Sequence, residues 1–158
     1  MNDTIEEAVA RAVSEYLRPR ADMTLNAALR LAQGVKQKAA EMGVKAVVAV
    51  TNRGGNPVLV ECMDDSYIAS YDIALNKAFT VVSLKMPTSQ LKTLAQPGAS
   101  LYGIQFTNGG RIVIFGGGEP LLNENGEVIG GLGVSGGSEE QDTALGSYGR
   151  ALFERELR

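Results

Sequence analysis

Fifteen of the chain's 19 glycines lie from Gly98 onward, and only Gly34, Gly43, Gly54 and Gly55 precede it. Glycine weakens helix interiors, permits positive φ and lets backbones approach closely. The first part of the chain should therefore be rich in helix, and the second built from strands and tight turns. A length of 158 residues suits one compact domain with a short appendage.

Hydrophobic periodicity fills in that outline. Residues 4–17 set Ile5, Ala8, Val9, Ala12, Val13, Tyr16 and Leu17 at helical spacing, with Glu6, Glu7, Arg11 and Glu15 elsewhere on the wheel, which predicts a short amphipathic helix. Pro19 and the polar stretch to Asp22 interrupt it. Thr24 then caps a second helix with the stripe Leu25, Ala28, Leu29, Ala32, Val35 and Ala39, stopped by Gly43. Lys45 to Thr51 and Val58 to Met63 read as a hairpin around the turn Asn52 to Asn56. Ser66 to Leu84 is the longest helical pattern, apolar over more than half its circumference, and so should be buried between layers. A short helix follows Pro87, starting at Thr88 or Ser89 and ending near Gln96. Three further strands are expected: Arg111 to Phe115, a segment around Leu121 and Leu122, and Val128 to Ser135, the last two joined through Asn125-Gly126. Ser138 and Gln141 form a capping-box pair that opens a helix reaching about Glu156. Hairpins at both ends of the order predict an α+β domain with a five-stranded, mainly antiparallel sheet.

Composition removes much chemistry. With no histidine, the chain can build no Ser-His-Asp or Cys-His pair, no His-ligated zinc and no His-ligated haem. One cysteine, Cys62, supports neither an intrachain disulfide nor a thiolate cage, and suits a reducing cytosol. Fifteen Lys and Arg against 18 Asp and Glu give a net charge of −3 with the signs interspersed, so nucleic acid is not an expected partner. No stretch approaches the roughly 20 apolar residues of a membrane span, and the acidic N-terminal segment lacks a basic leader, so the expectation is a soluble cytoplasmic protein with no membrane partner.

Several motifs bear on function. Gly131-Leu132-Gly133-Val134-Ser135-Gly136 satisfies G-x-G-x-x-G, yet these glycines fall within a hairpin strand rather than between a strand and the helix of a dinucleotide fold. Gly116-Gly117-Gly118 lacks the Lys-Ser/Thr of a phosphate loop. At Gly136-Gly137-Ser138 the N–H groups of a helix start could hold an anion, but Glu139 and Glu140 already bring negative charge to that turn. Lys77, inside a mostly apolar helix, is either a surface side chain or a buried ammonium aimed at a ligand. Cys62-Met63-Asp64-Asp65 offers soft and hard donors, with a half-buried strand end as the plainer reading.

A set of spaced tracts between about Met23 and Tyr148 resembles the GlcG/HbpS family. They are Thr24-Leu25, Val48-Ala49-Val50, Glu61 with Met63-Asp64, Lys77-Ala78 with Thr80, Pro87-Thr88-Ser89, Pro97-Gly98, and Leu101 to Gln105. They continue through Asn108-Gly109-Gly110-Arg111, Phe115 to Gly118 with Pro120-Leu121, Gly130, Gly133 to Gly137, and Gln141-Asp142. The same tracts resemble the C-terminal domain of PduO-type corrinoid adenosyltransferases. The resemblance implies a profilin-like fold and a homo-oligomer. It implies a haem or corrinoid cofactor for some relatives, and for others a setting in glycolate, propanediol or glycerol utilisation near bacterial microcompartments. Without histidine, the axial candidates for haem are Met, Cys62, Tyr or Lys.

The ligand-facing family positions map onto Lys77, Asn108, Gly110, Gly116, Gly117, Gly118, Ser135, Gly136 and Gly137. An ammonium, a hydroxyl and glycine amides around one cleft suit a small anionic metabolite. The domain should span residues 23–158, with residues 1–22 a helix and linker that resemble an encapsulation peptide for a microcompartment shell or cargo protein. The leading expectation is a small-ligand or cofactor-binding accessory protein of the cytoplasm or a microcompartment lumen. The alternatives are an enzyme with Lys77 as base or Schiff-base nucleophile on a small carbonyl or carboxylate compound, and an assembly factor without catalysis.

Overall fold

The computed structural model describes residues 4–17 and 21–158. Its elements are α1 (Ile5–Leu17), α2 (Leu25–Glu41), β1 (Val47–Asn52), β2 (Pro57–Cys62), α3 (Ile68–Leu84), α4 (Thr88–Leu94), β3 (Gly118–Leu122), β4 (Val128–Ser135) and α5 (Glu139–Glu156), with two single 3₁₀ turns at Ile104–Phe106 and Asn108–Gly110. The four strands form one antiparallel sheet in the order β2-β1-β4-β3. The expected linker falls on residues 18–20, outside the described residues, except for Ala21 and Asp22.

Alternation along the two central strands sorts the helices into layers. β1 and β4 pair Val47 with Ser135, Ala49 with Gly133 and Thr51 with Gly131, so these six residues share one face. That face carries α3, with Val47 and Ala49 packed against Ala74 and Ala78. Val48, Val50, Leu132 and Val134 point the other way, into a core shared with Leu31, Val35, Leu145 and Phe153 of α2 and α5. Helices thus cover both faces, and α3 lies between the sheet and the loop that leads to β3.

Glycine makes the α3 layer unusually close. A Cβ at Gly133 would meet the Ala74 carbonyl, and one at Gly131 would meet the Ala78 carbonyl. The α3 backbone therefore rests directly on β4, and Thr51 Oγ1 donates to the Ala78 carbonyl at 3.3 Å from the neighbouring strand. Caps fall where the sequence puts them. Thr24 Oγ1 accepts from Ala27 N–H at 3.2 Å, and Ser138 and Gln141 form the full capping box of α5.

One predicted strand is absent. Arg111 to Phe115 pairs with no strand, so the described sheet has four strands rather than five. The segment is latched to α3 instead: Val113 N–H donates to Thr80 Oγ1 at 3.0 Å, Ile112 is buried, and the Arg111 guanidinium stacks 3.6 Å above the Phe79 ring. The Val113 N–H thus meets a side chain of α3 where a strand would have met a sheet neighbour. β3 begins at Gly118, earlier than the predicted segment around Leu121, because Gly118 already pairs with Gly133.

The close α3–β4 contact yields a direct test. Gly133→Ala should cost at least about 2 kcal/mol through overpacking against backbone, read as a lower urea midpoint with an unchanged slope. Leu25→Ala, on the exposed side of α2, serves as a control and should stay within about 0.5 kcal/mol of the parent.

Candidate ligand-binding site

The site is organised by a buried cation. α3 places Lys77 on the face that meets β4, and its side chain is 0% exposed. Nζ donates to the Val134 carbonyl at 2.7 Å and to Asp142 Oδ2 at 3.1 Å, and it lies 5.0 Å from the Phe115 ring centroid. Asp142, on the first turns of α5, uses its other oxygen to accept from Gly137 N–H at 2.9 Å. Burial pushes the Lys77 ammonium below the ordinary lysine value, and the adjacent Asp142 carboxylate opposes that shift.

Glycine again makes room. Gly117 adopts φ +112°, and a Cβ there would come within 2.7 Å of both Lys77 Nζ and the Val134 carbonyl. Gly116 N–H donates to Glu139 Oε1 at 2.9 Å, and Lys92 pairs with the other Glu139 oxygen. The Gly116 N–H is the main cause that holds the Glu139 carboxyl below its usual value, followed by Lys92.

Beside this pair opens a cleft of about 390 Å³, lined by Tyr67, Ala69, Ser70, Ile73, Phe115, Ser135, Gly136, Gly137, Glu139 and Asp142. Its floor is polar: Ser135 Oγ donates to Ser70 Oγ at 3.1 Å, and both residues are buried. Its mouth is apolar and open, with Tyr67 and Phe115 exposed.

The sequence-derived positions are distributed unevenly around it. Ser135, Gly136 and Gly137 line the cleft. Lys77 and Gly117 lie behind the Asp142 wall, Gly116 is tied to Glu139, and Gly118 is buried against Thr88, to whose Oγ1 its N–H donates at 2.9 Å. Asn108 and Gly110 sit on an exposed turn and do not line the cleft. The ammonium and the Gly137 amide are both engaged by Asp142. Sequence reasoning did not single out Asp142, Ser70 or Tyr67 for chemistry. The signals available were a lysine inside an apolar helix, which if buried calls for a polar or charged partner, and Asp142's place in one of the tracts that carry the family resemblance. The Cys62 to Asp65 tract lines a separate cavity of about 590 Å³, where Asp65 pairs with Lys45. Among the described residues, no group of three or more Cys, Asp or Glu is placed to hold a metal ion.

Residues 23–151 match the family model described as haem degrading protein HbpS-like. The chain belongs to the HbpS-like family. An uncharacterised 15.0 kDa protein from the dhaT–dhaS intergenic region of Citrobacter freundii is 52% identical over 125 residues, 79% of this chain and 87% of that protein. Corrinoid adenosyltransferase PduO of the same organism is 39% identical over 113 residues, 72% of this chain, and the match spans 33% of that longer HbpS-like relative. Among solved structures, Klebsiella pneumoniae ORFY superposes with a TM-score of 0.84 at 45% identity, covering 87% of this chain and 94% of that one. A PduOC–haem complex superposes with a TM-score of 0.79 at 34% identity, covering 83% and 94%. At these identities the α+β architecture of this HbpS-like chain is shared with both structures.

Two outcomes follow from the buried pair. Lys77→Met, which strands the Asp142 carboxylate, should destabilise by about 3–5 kcal/mol at neutral pH, and adding Asp142→Asn should restore more than half of that loss in urea unfolding. Because the folded Lys77 value lies below 10.5, the unfolded chain binds more protons between the two values. Wild-type stability should therefore rise relative to Lys77→Met as pH climbs through that window. Glu139 acts in the opposite range: its folded value is depressed below 4.5, so its contribution is present above about 4.5 and is lost as pH falls through the folded value. Glu139→Gln should flatten that part of the acid unfolding curve.

Proposed function

We propose that this HbpS-like chain is a small accessory protein that holds a cofactor of the haem or corrinoid type by an apolar face. The cleft itself carries the reading: Tyr67, Ile73 and Phe115 form an apolar mouth above the Ser70–Ser135 floor, while the nearby Lys77 ammonium and the Gly137 amide are already engaged by Asp142. Such a site favours a ligand with a broad apolar surface and a few polar edges over a compact anion. The likeness to a PduOC–haem complex and to PduO supports the same class.

The donor set fits haem in one respect. With no histidine in the chain, the Tyr67 phenol would be the residue at the cleft mouth to hold the haem iron, with Phe115 and Ile73 against the group's apolar surface. The bound group would supply redox or ligand-binding chemistry at its metal, and the chain's own part is to hold and orient it. The role extends to a profilin-like homo-oligomer in the cytoplasm or a microcompartment lumen. Adenosyl transfer lies outside this reading, because the match spans 33% of PduO.

A second reading makes Lys77 a base or Schiff-base nucleophile, favoured by the burial that lowers its ammonium's value. It requires Lys77 to leave Asp142. Borohydride in the presence of small aldehydes should then add a stable mass at Lys77, and the cofactor reading predicts no such adduct.

Haemin and cob(II)alamin, titrated separately into the full chain, decide the main proposal. One of them should bind saturably with an altered visible spectrum, and Phe115→Glu, at a position 38% exposed, should weaken it at least about tenfold while the urea unfolding midpoint shows the fold retained. If haem binds, Tyr67→Phe should shift its absorption bands. No saturable binding, or binding untouched by Phe115→Glu, would overturn the proposal.

A further inference from the structure

A cavity of about 770 Å³ lies where the α3–α4 junction, α5 and the turns of both hairpins meet, and it shares no lining residue with the cleft beside Asp142. Its walls carry Arg53, Lys85, Arg150 and Glu127, with Gln90 adding a side-chain amide. Arg150 is already neutralised, by Glu154 at 3.1 Å and by the buried Glu119 at 3.4 Å. Arg53, Lys85 and Glu127 form no ion pair among the described residues, so two cations and a carboxylate share one cavity without neutralising one another.

The backbone fixes the position of all three. In the β1–β2 turn, Arg53 N–H donates to Asp22 Oδ1 at 2.8 Å and Arg53 Nη1 to the Ala21 carbonyl at 3.4 Å, with no partner for Nε or Nη2 among the described residues. In the β3–β4 turn, Glu127 N–H donates to Asn123 Oδ1 at 2.9 Å, and Asn123 Nδ2 donates to Glu127 Oε2 at 2.8 Å, which leaves Oε1 to the cavity. Lys85 closes α3 in the left-handed region, at φ 55° and ψ 37°, a conformation that favours glycine. The carbonyl end of α3 attracts a cation, yet no carbonyl among the described residues takes the Lys85 ammonium. A lysine kept at a strained position, with its charge unused by the fold, points to a use outside it.

The charges select the ligand. Two uncompensated cations match a dianion, and the guanidinium fork of Arg53 suits phosphate oxygens, whereas a single carboxylate would neutralise one cation and leave the other. A phosphate monoester is close to dianionic at neutral pH. The ionised Glu127 can only accept hydrogen bonds and repels a phosphate, so a ligand must present a hydroxyl on that side and keep its phosphate on the other. The volume exceeds what inorganic phosphate fills, and Val82, Pro87, Leu122 and Val128 offer an apolar wall to an organic body. We propose that this cavity binds a phosphate monoester of a hydroxylated organic body, with the phosphate between Lys85 and Arg53 and a hydroxyl on Glu127.

The test titrates ribose 5-phosphate, ribose and inorganic phosphate separately into the full chain at low salt, followed by calorimetry. Ribose 5-phosphate should bind saturably, and at least about tenfold more tightly than either of the others. Lys85→Gly removes the ammonium from a position that favours glycine, so it should weaken binding at least about tenfold while its urea midpoint stays close to or above the parent's. Arg53→Gln should weaken binding by a similar factor. Lys38→Gln, which removes a cation from the exposed side of α2, should leave binding unchanged. Glu127→Ala should narrow the margin of ribose 5-phosphate over inorganic phosphate. The proposal is overturned by any of these results: no saturable binding of ribose 5-phosphate; inorganic phosphate bound as tightly; binding unmoved by Lys85→Gly or by Arg53→Gln; a margin untouched by Glu127→Ala; or equal weakening by Lys38→Gln, the mark of a diffuse charge effect.

Discussion

The backbone of α3 lies directly on β4, and the rest of the molecule is arranged around that contact. It exists because Gly131 and Gly133 present no side chain where the Ala78 and Ala74 carbonyls come down. The approach brings Ala74 and Ala78 against Val47 and Ala49, and it sets Lys77 deep enough for its ammonium to reach across the end of β4 to α5. A helix held one side-chain layer further away would leave that ammonium short of both the Val134 carbonyl and Asp142.

The Lys77–Asp142 pair ties α3 to β4 and α5, two consecutive elements about 60 residues further along the chain. Its geometry offsets the cost of burying two charges, because each group also meets a backbone partner, Val134 for the ammonium and Gly137 for the carboxylate. The Gly137 bond fixes the junction between β4 and α5, and that junction forms one wall of the cleft. The pair thus shapes the site while presenting little free charge to it. What the cleft offers a ligand is the apolar mouth of Tyr67, Ile73 and Phe115 and the linked hydroxyls of Ser70 and Ser135.

Much of this architecture is legible in the sequence, for identifiable reasons. Helix caps at Thr24 and Ser138 and the Asn125-Gly126 turn depend on local chemistry, and they occur where spacing places them. Arg111 to Phe115 misled because an aliphatic run looks the same whether its N–H groups meet a strand or, like that of Val113, a threonine hydroxyl 33 residues away. The burial of Lys77 was one of two open readings, since its partner lies 65 residues along the chain and nothing local marks it. Ser135, Gly136 and Gly137 were named and line the cleft. Tyr67 and Ser70 were not, because a tyrosine and a serine at a helix start carry no signal of their own until the fold sets them opposite Ser135.

The account centres on the cleft beside the Lys77–Asp142 pair as the place where a ligand rests. Amide chemical-shift mapping of the full chain with zinc protoporphyrin, a diamagnetic stand-in for haem, addresses that claim most directly. The account predicts perturbations concentrated at residues 67–73, at Phe115 and at residues 135–139. Perturbations gathered instead at the Cys62–Asp65 cavity, or at the cavity of about 770 Å³ lined by Arg53, Lys85 and Arg150, with the cleft amides unmoved, would contradict it.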